Sequence, residues 1–84
     1  MSVTVEGTPN PAAVKFVVGV PVGGPATYRD SEGAEPFVAE ILAIDGVTSV
    51  FMTANFVTVS ATPGFDWDAA TPTVSSILES AFAD

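Results

Sequence analysis

Eighty-four residues make a single domain over 1–84, and a chain of this size buries only about 60% of its unfolded surface, so its stability is modest. The net charge of −8, with Lys15 and Arg29 the only cations, excludes phosphate-tracking nucleic-acid binding and disfavours an anionic membrane surface. The sequence contains neither cysteine nor histidine, which removes disulfides, thiolate-held zinc, thiolate-ligated clusters and every Ser–His triad from its own chemistry.

Ser2 to Glu6 alternates, with Val3 and Val5 facing one way and Ser2, Thr4 and Glu6 the other, which predicts a half-buried strand. Gly7-Thr8-Pro9-Asn10-Pro11 ends it. Two prolines fix φ and remove two donors, so this stretch is a stiff, extended loop that cannot continue a ladder. Val14 to Val18 is a second strand, with Val14, Phe16 and Val18 inward and Lys15 and Val17 outward; the phase with Val17 inward stays open. Gly19 to Pro25 is a turn-rich connector and the loosest segment by composition. Ala26 to Arg29 suits a short edge strand, and Asp30-Ser31-Glu32-Gly33 a polar loop.

A helix starts near Glu35 or Pro36, because proline fits the first helical position. Phe37, Ile41 and Ile44 fall at i, i+4, i+7 beside Val38 and Leu42, and Gly46 past Asp45 is a natural C-cap. Val47 to Met52 and Phe56 to Ser60 are rich in β-branched and aromatic residues and read as a hairpin, around which the other elements are arranged. Thr53-Ala54-Asn55 joins them, with Asn55 suited to the left-handed backbone of a tight turn. Phe56, Thr58 and Ser60 lie on one face, and Val57, Val59 and Ala61 on the other.

Thr62-Pro63-Gly64 is a turn. Asp66 caps a final helix and Asp68 in its first turn suits the dipole. Trp67, Ala70, Val74, Ile77, Leu78, Ala81 and Phe82 follow helical spacing on one face, with Ser75, Ser76, Glu79 and Ser80 on the wet side. At Pro72 either the helix kinks or Thr71 caps a second start. The order β-β-(β)-α-β-β-α predicts an α+β two-layer sandwich: an antiparallel sheet of about four strands with two helices on one face. The other sheet face is partly open, with Phe51 on it as an exposed apolar residue.

Few residues carry chemistry. Asp66-Trp67-Asp68 offers two carboxylates to a cation, but a hard divalent ion wants six or more oxygens, and helix capping explains both acids. Trp67 is a core residue or a recognition anchor. Asp30, Glu32 and Glu35 form a solvated acidic loop. Gly19, Gly23 and Gly24 make no phosphate loop, since no Gly-Lys-Ser/Thr follows. Lys15 is a solvated lysine or a contact for an anionic group. Thr8-Pro9-Asn10-Pro11 is both a rigid turn and a stiff recognition loop whose ordering entropy is lost before binding. Met1-Ser2-Val3 opens no signal-peptide pattern, and no apolar run approaches the roughly 18 residues of a spanning helix, so the expected location is the cytoplasm.

Four pieces of the chain carry a family resemblance. They are Thr8-Pro9-Asn10-Pro11 followed by Lys15-Phe16; Pro36 with the helix ending at Gly46-Val47; Ser49-Val50-Phe51 with Asn55-Phe56-Val57-Thr58-Val59; and Asp66-Trp67 leading into a proline-containing helix. In this order and spacing the chain resembles the N-terminal domain of Nfu/NifU-type iron–sulfur scaffold proteins, over almost its whole length. The resemblance implies a small α+β domain in iron–sulfur cluster biogenesis. In longer members a second domain with a Cys-x-x-Cys pair holds the cluster between two subunits, and the N-terminal domain serves docking, target choice or support. This chain has no cysteine, so it looks like a single-domain relative unable to ligate a cluster itself.

The expected function is a non-enzymatic protein-interaction domain, with no cofactor of its own, accessory to iron–sulfur cluster assembly or delivery. Its partner is a scaffold, a carrier or an apo-target, and it is a monomer or a weak homodimer through an open sheet edge. Thr8, Asn10, Lys15 and Phe51 are the candidate contact residues. The alternative is weak iron binding by carboxylates alone, through Asp66, Asp68 or the Asp30–Glu35 loop. An enzyme using a carboxylate base is a third reading.

Overall fold

The computed structural model describes residues 3–7, 12–30 and 32–82. Its elements run β1 (Thr4–Gly7), β2 (Ala13–Val17), β3 (Ala26–Tyr28), α1 (Pro36–Leu42), β4 (Val47–Thr53), β5 (Phe56–Ala61) and α2 (Trp67–Ala81). Five strands form one antiparallel sheet in the order β1-β2-β5-β4-β3, so β5 is central and β3 is an edge strand. The Thr8–Pro11 loop, Ser2 and Ser31 lie outside the described residues. Among the described residues no helix is long and apolar enough to cross a membrane.

The core follows from the period of two. Val57 and Val59 of β5, Phe16 of β2 and Val50 of β4 are fully buried on the sheet face that meets the helices. Phe37, Val38 and Ile41 of α1 and Ala70, Val74 and Leu78 of α2 close over them. Each such side chain contributes about 1.5–3 kcal/mol by leaving water. Val18 and Val22 complete the core from the connector after β2. That connector is not loose: the Val18 and Val22 N–H groups donate to the carbonyls of Asn55 (2.8 Å) and Ala54 (2.9 Å) in the β4–β5 turn.

Several expectations change in detail. All four residues of β1 are exposed rather than half-buried. Val5 pairs with Phe16 and shares its face, but at the sheet edge no helix covers it, and it stays 43% exposed. The helix α1 stops at Leu42, short of Asp45. Ala43 is its C-cap, and the chain leaves by turns in which Ile44 N–H donates to Ile41 and Val47 N–H to Ile44. Gly46 therefore serves the entry to β4 rather than the helix end. Its φ is +98°, and a Cβ there would lie 2.6 Å from Cδ1 of Phe65.

The register of β4 shifts between Val47 and Ser49. This irregularity turns Val47 toward the core while Ser49, Phe51 and Thr53 stay on the opposite face. The hairpin turn has two residues, and Ala54, not Asn55, takes the left-handed backbone, with φ of +50°. The inward-turned carbonyls that hold the connector set this conformation, against the preference of the side chain.

Asp66 caps α2: its Oδ1 accepts from Ala69 N–H at 3.2 Å. The helix runs through Pro72 as one element, with no second start at Thr71. Pro72 leaves the Asp68 carbonyl without its helical donor. Both residues are exposed. Ala81, expected on the buried stripe, is exposed near the end of the helix.

Three substitutions test this account by urea unfolding. Gly46→Ala lowers stability by about 1–3 kcal/mol, through the positive φ and the Phe65 contact. Ala54→Gly raises it by about 0.5 kcal/mol, since relief of left-handed strain outweighs the added chain entropy. Asp66→Ala lowers it by about 1 kcal/mol, whereas Asp66→Asn leaves it nearly unchanged.

Candidate functional site

With both helices on one face, the opposite face of the sheet carries the outward half of every alternating strand. The registers align Lys15 with Thr58 and Glu6, Thr58 with Phe51, Phe51 with Thr27, and Phe56 with Val17 and Thr53. These residues form a patch across all five strands. Its centre is aromatic: the Phe51 and Phe56 rings lie 6.5 Å apart between centroids, tilted by 55°. Both rings are half-buried, so Phe51 is less exposed than its sequence position suggests, because Phe56 and the flanking threonines shield it.

Lys15 is folded down onto this patch. Its Nζ sits 4.4 Å from the centroid of the Phe56 ring. The ring face attracts the ammonium by about 0.5–1 kcal/mol at such an exposed position. Glu6 Oε1 lies 3.9 Å from the same nitrogen, with the two side chains 35% and 52% exposed. An ion pair this long and this wet contributes little. The ammonium is therefore held in place by the ring and keeps donor capacity for an incoming acceptor.

Of the sequence candidates, Lys15 and Phe51 lie on this one face. Thr8 and Asn10 lie outside the described residues. Asp66 and Asp68 belong to the first turn of α2, where the former caps and the latter faces solvent. In the acidic loop, Asp30 Oδ1 accepts from Glu32 N–H at 3.0 Å, a local turn contact. Among the described residues, no three histidine, cysteine, aspartate or glutamate side chains converge in a way that could hold a metal ion. Trp67 packs against the core and meets Phe65 edge-on at 4.7 Å, which is the core reading of that residue.

Phe56 is the functional candidate that sequence reasoning missed. The signal was present. Phe56 falls in the outward phase of its strand, and a two-residue turn pairs it with Thr53, which sets it diagonal to Phe51. Diagonal aromatic neighbours on one sheet face are within reach of each other. Among the described residues, this surface holds aromatic rings, threonine hydroxyls, one cation and the Glu6 carboxylate beside it.

Comparison with known proteins agrees with this fold. A family model described as scaffold protein Nfu/NifU N terminal matches residues 3–84. The chain is similar to the NFU1 iron-sulfur cluster scaffold homolog, mitochondrial, of Drosophila ananassae, with 31% identity over 99% of this chain and 31% of the relative. It is similar to NifU-like protein 5, mitochondrial, of Arabidopsis thaliana, with 35% identity over 93% of this chain and 30% of the relative. The chain thus spans less than a third of the length of these curated relatives. Among solved structures, the crystal structure of protein SAV1430 from Staphylococcus aureus superimposes with a TM-score of 0.79 at 26% identity, covering 94% of this chain and 100% of that one. Matched from residue 3 to residue 84 and built on the same sheet-and-helix frame, the chain belongs to the Nfu/NifU N-terminal family.

Proposed function

We propose that this chain is a non-enzymatic docking domain accessory to iron–sulfur cluster assembly or delivery, and that the open sheet face is its contact surface. The observation that carries this reading is the family match over residues 3–84 in a sequence without cysteine or histidine. Such a sequence supplies no thiolate or imidazole for a cluster, and in this reading the ligands come from outside these 84 residues, with the domain contributing the contact to a partner. That partner is a cysteine-bearing scaffold, a carrier or an apo-target.

The open face supports a docking role in physical terms. Aromatic rings on a rigid sheet offer contact area with little conformational entropy to lose on binding. Lys15, steadied over Phe56, offers one charged donor to a carboxylate of the partner. In the sequence, Thr8-Pro9-Asn10-Pro11 lies between β1 and β2, the strands that carry Glu6 and Lys15. Thr8 and Asn10, which lie in sequence between β1 and β2, are proposed as further contact residues.

An affinity pull-down from the native host tests the reading, with the eluate identified by mass spectrometry and assayed for iron. The expected result is recovery of a Cys-x-x-Cys scaffold, a cluster carrier or apo-iron–sulfur enzymes. Recovery of no iron-related protein on a bait shown to be folded contradicts it. The contact residues are tested on the recovered partner by calorimetry. Lys15→Ala with Asn10→Ala, and separately Phe51→Ser, each weaken binding about tenfold with unchanged circular dichroism. Undiminished binding by both variants removes this face from the account.

A further inference from the structure

The helix layer carries a second surface, on the other side of the molecule from the open sheet face. The first turn of α1 and the last turns of α2 leave a groove of about 320 Å³ between them. Phe37 and Ile77 supply its apolar floor, Ser80 and Ala81 one wall, and Glu35 and Glu40 the rim. Phe37 is fixed there by edge-on contact with Phe82, with ring centroids 5.0 Å apart. Ala81 continues the apolar stripe of α2 but is exposed, so the stripe extends past what the sheet covers and into the groove.

Charge defines the occupant. No cation lines the groove. The two cations of the sequence are both elsewhere: Lys15 lies over Phe56 on the sheet face, and Arg29 lines a separate cleft with Leu42 and Val47. The exposed carboxylates of Glu35 and Glu40 therefore face an incoming segment with no internal neutralisation. A chain of net charge −8 repels a second copy of itself and any acidic segment, and attracts a basic one. The volume is near the lower end of the roughly 300–1,000 Å³ range of ligand pockets, which suits an anchoring side chain better than a large cofactor.

We propose that this groove docks an amphipathic segment of a partner protein, inserting an apolar side chain against Phe37 and Ile77 and setting flanking lysine or arginine residues against Glu35 and Glu40. The recognition mode is an apolar stripe laid into a groove, with rim charges that choose the partner and speed its approach. Because it uses the helix layer, it leaves the sheet face free, and the domain is able to hold two partners at once. The groove stands independently of the iron–sulfur reading, since its test needs no cluster protein.

The test uses a fluorescein-labelled synthetic peptide of leucine and lysine, with leucines at i, i+3, i+4 and i+7, and a scrambled peptide of the same composition. Anisotropy is read at low salt on the whole 84-residue chain. The patterned peptide binds saturably, about tenfold tighter than the scrambled one. Glu35→Gln with Glu40→Gln weakens it roughly fivefold, and this difference fades at high salt. Ala81→Trp fills the groove and abolishes the preference for the patterned peptide. Equal binding of the two peptides, or an affinity unchanged in the Glu35→Gln, Glu40→Gln variant, overturns the proposal and leaves only general attraction to an acidic chain. Self-association abolished by Ala81→Trp, or uptake of a neutral hydrocarbon probe without peptide binding, overturns it in favour of a second copy or a small ligand. The glutamine variant alters only exposed rim residues, so it decides the question even if the tryptophan variant does not fold.

Discussion

The structure depends on one constraint: its central strand has two unlike faces. Val57 and Val59 of β5 are fully buried, while Phe56, Thr58 and Ser60 point the other way. The apolar half must be covered, which draws both helices to one side of the sheet. A one-residue slip of β5 against β2 or β4 would exchange the two sets, so the register is strongly determined. The turn beside it adds a second lock, because its carbonyls hold the β2–β3 connector and carry Val18 and Val22 into the core. The open sheet face, the proposed docking surface, is a by-product of this arrangement: it is the half of the alternation left over once the core is closed.

Much of this was legible in the sequence because periodicity records it directly. The alternation of β5, the stripes of α1 and α2, the cap at Asp66 and the turn at Thr62-Pro63-Gly64 all follow from spacing and side-chain type. The features that escaped depend on partners distant in the chain. The register shift that turns Val47 inward is set by how β4 meets β5. The left-handed backbone at Ala54 is set by hydrogen bonds from residues more than thirty positions earlier, and these overrule the preference of Asn55. The early end of α1 goes with the turns at Ile44 and Val47 that lead into β4, where Gly46 comes close to Phe65, a residue far along the chain. The exposure of β1 reflects its place at the sheet edge, which a local pattern does not reveal.

The same division holds for the candidate site. Lys15 and Phe51 were readable singly, as outward residues of their strands. Their relation runs through Phe56, which joins them by a cation–ring contact on one side and a ring–ring contact on the other. That relation exists only once β2, β5 and β4 lie side by side. The acids at positions 66 and 68, equally visible in the sequence, serve the start of α2 and converge with no further ligands among the described residues. In a chain with two cations and ten acids, the position of each cation is informative. One marks the sheet face, and its absence from the helix groove gives that surface an opposite preference. Two unlike surfaces on opposite layers suit a domain that brings other proteins together.

The central claim is that the open sheet face is where this domain meets the iron–sulfur machinery. The most direct measurement is a titration of the ¹⁵N-labelled chain with a separately produced Cys-x-x-Cys cluster carrier of the same host, followed by amide chemical-shift changes. The account predicts saturable shifts centred on Lys15, Phe51, Phe56 and Thr58, with the amides of α1 and α2 unmoved. Shifts confined to the helix layer, or none at concentrations where the carrier is in excess, would contradict it.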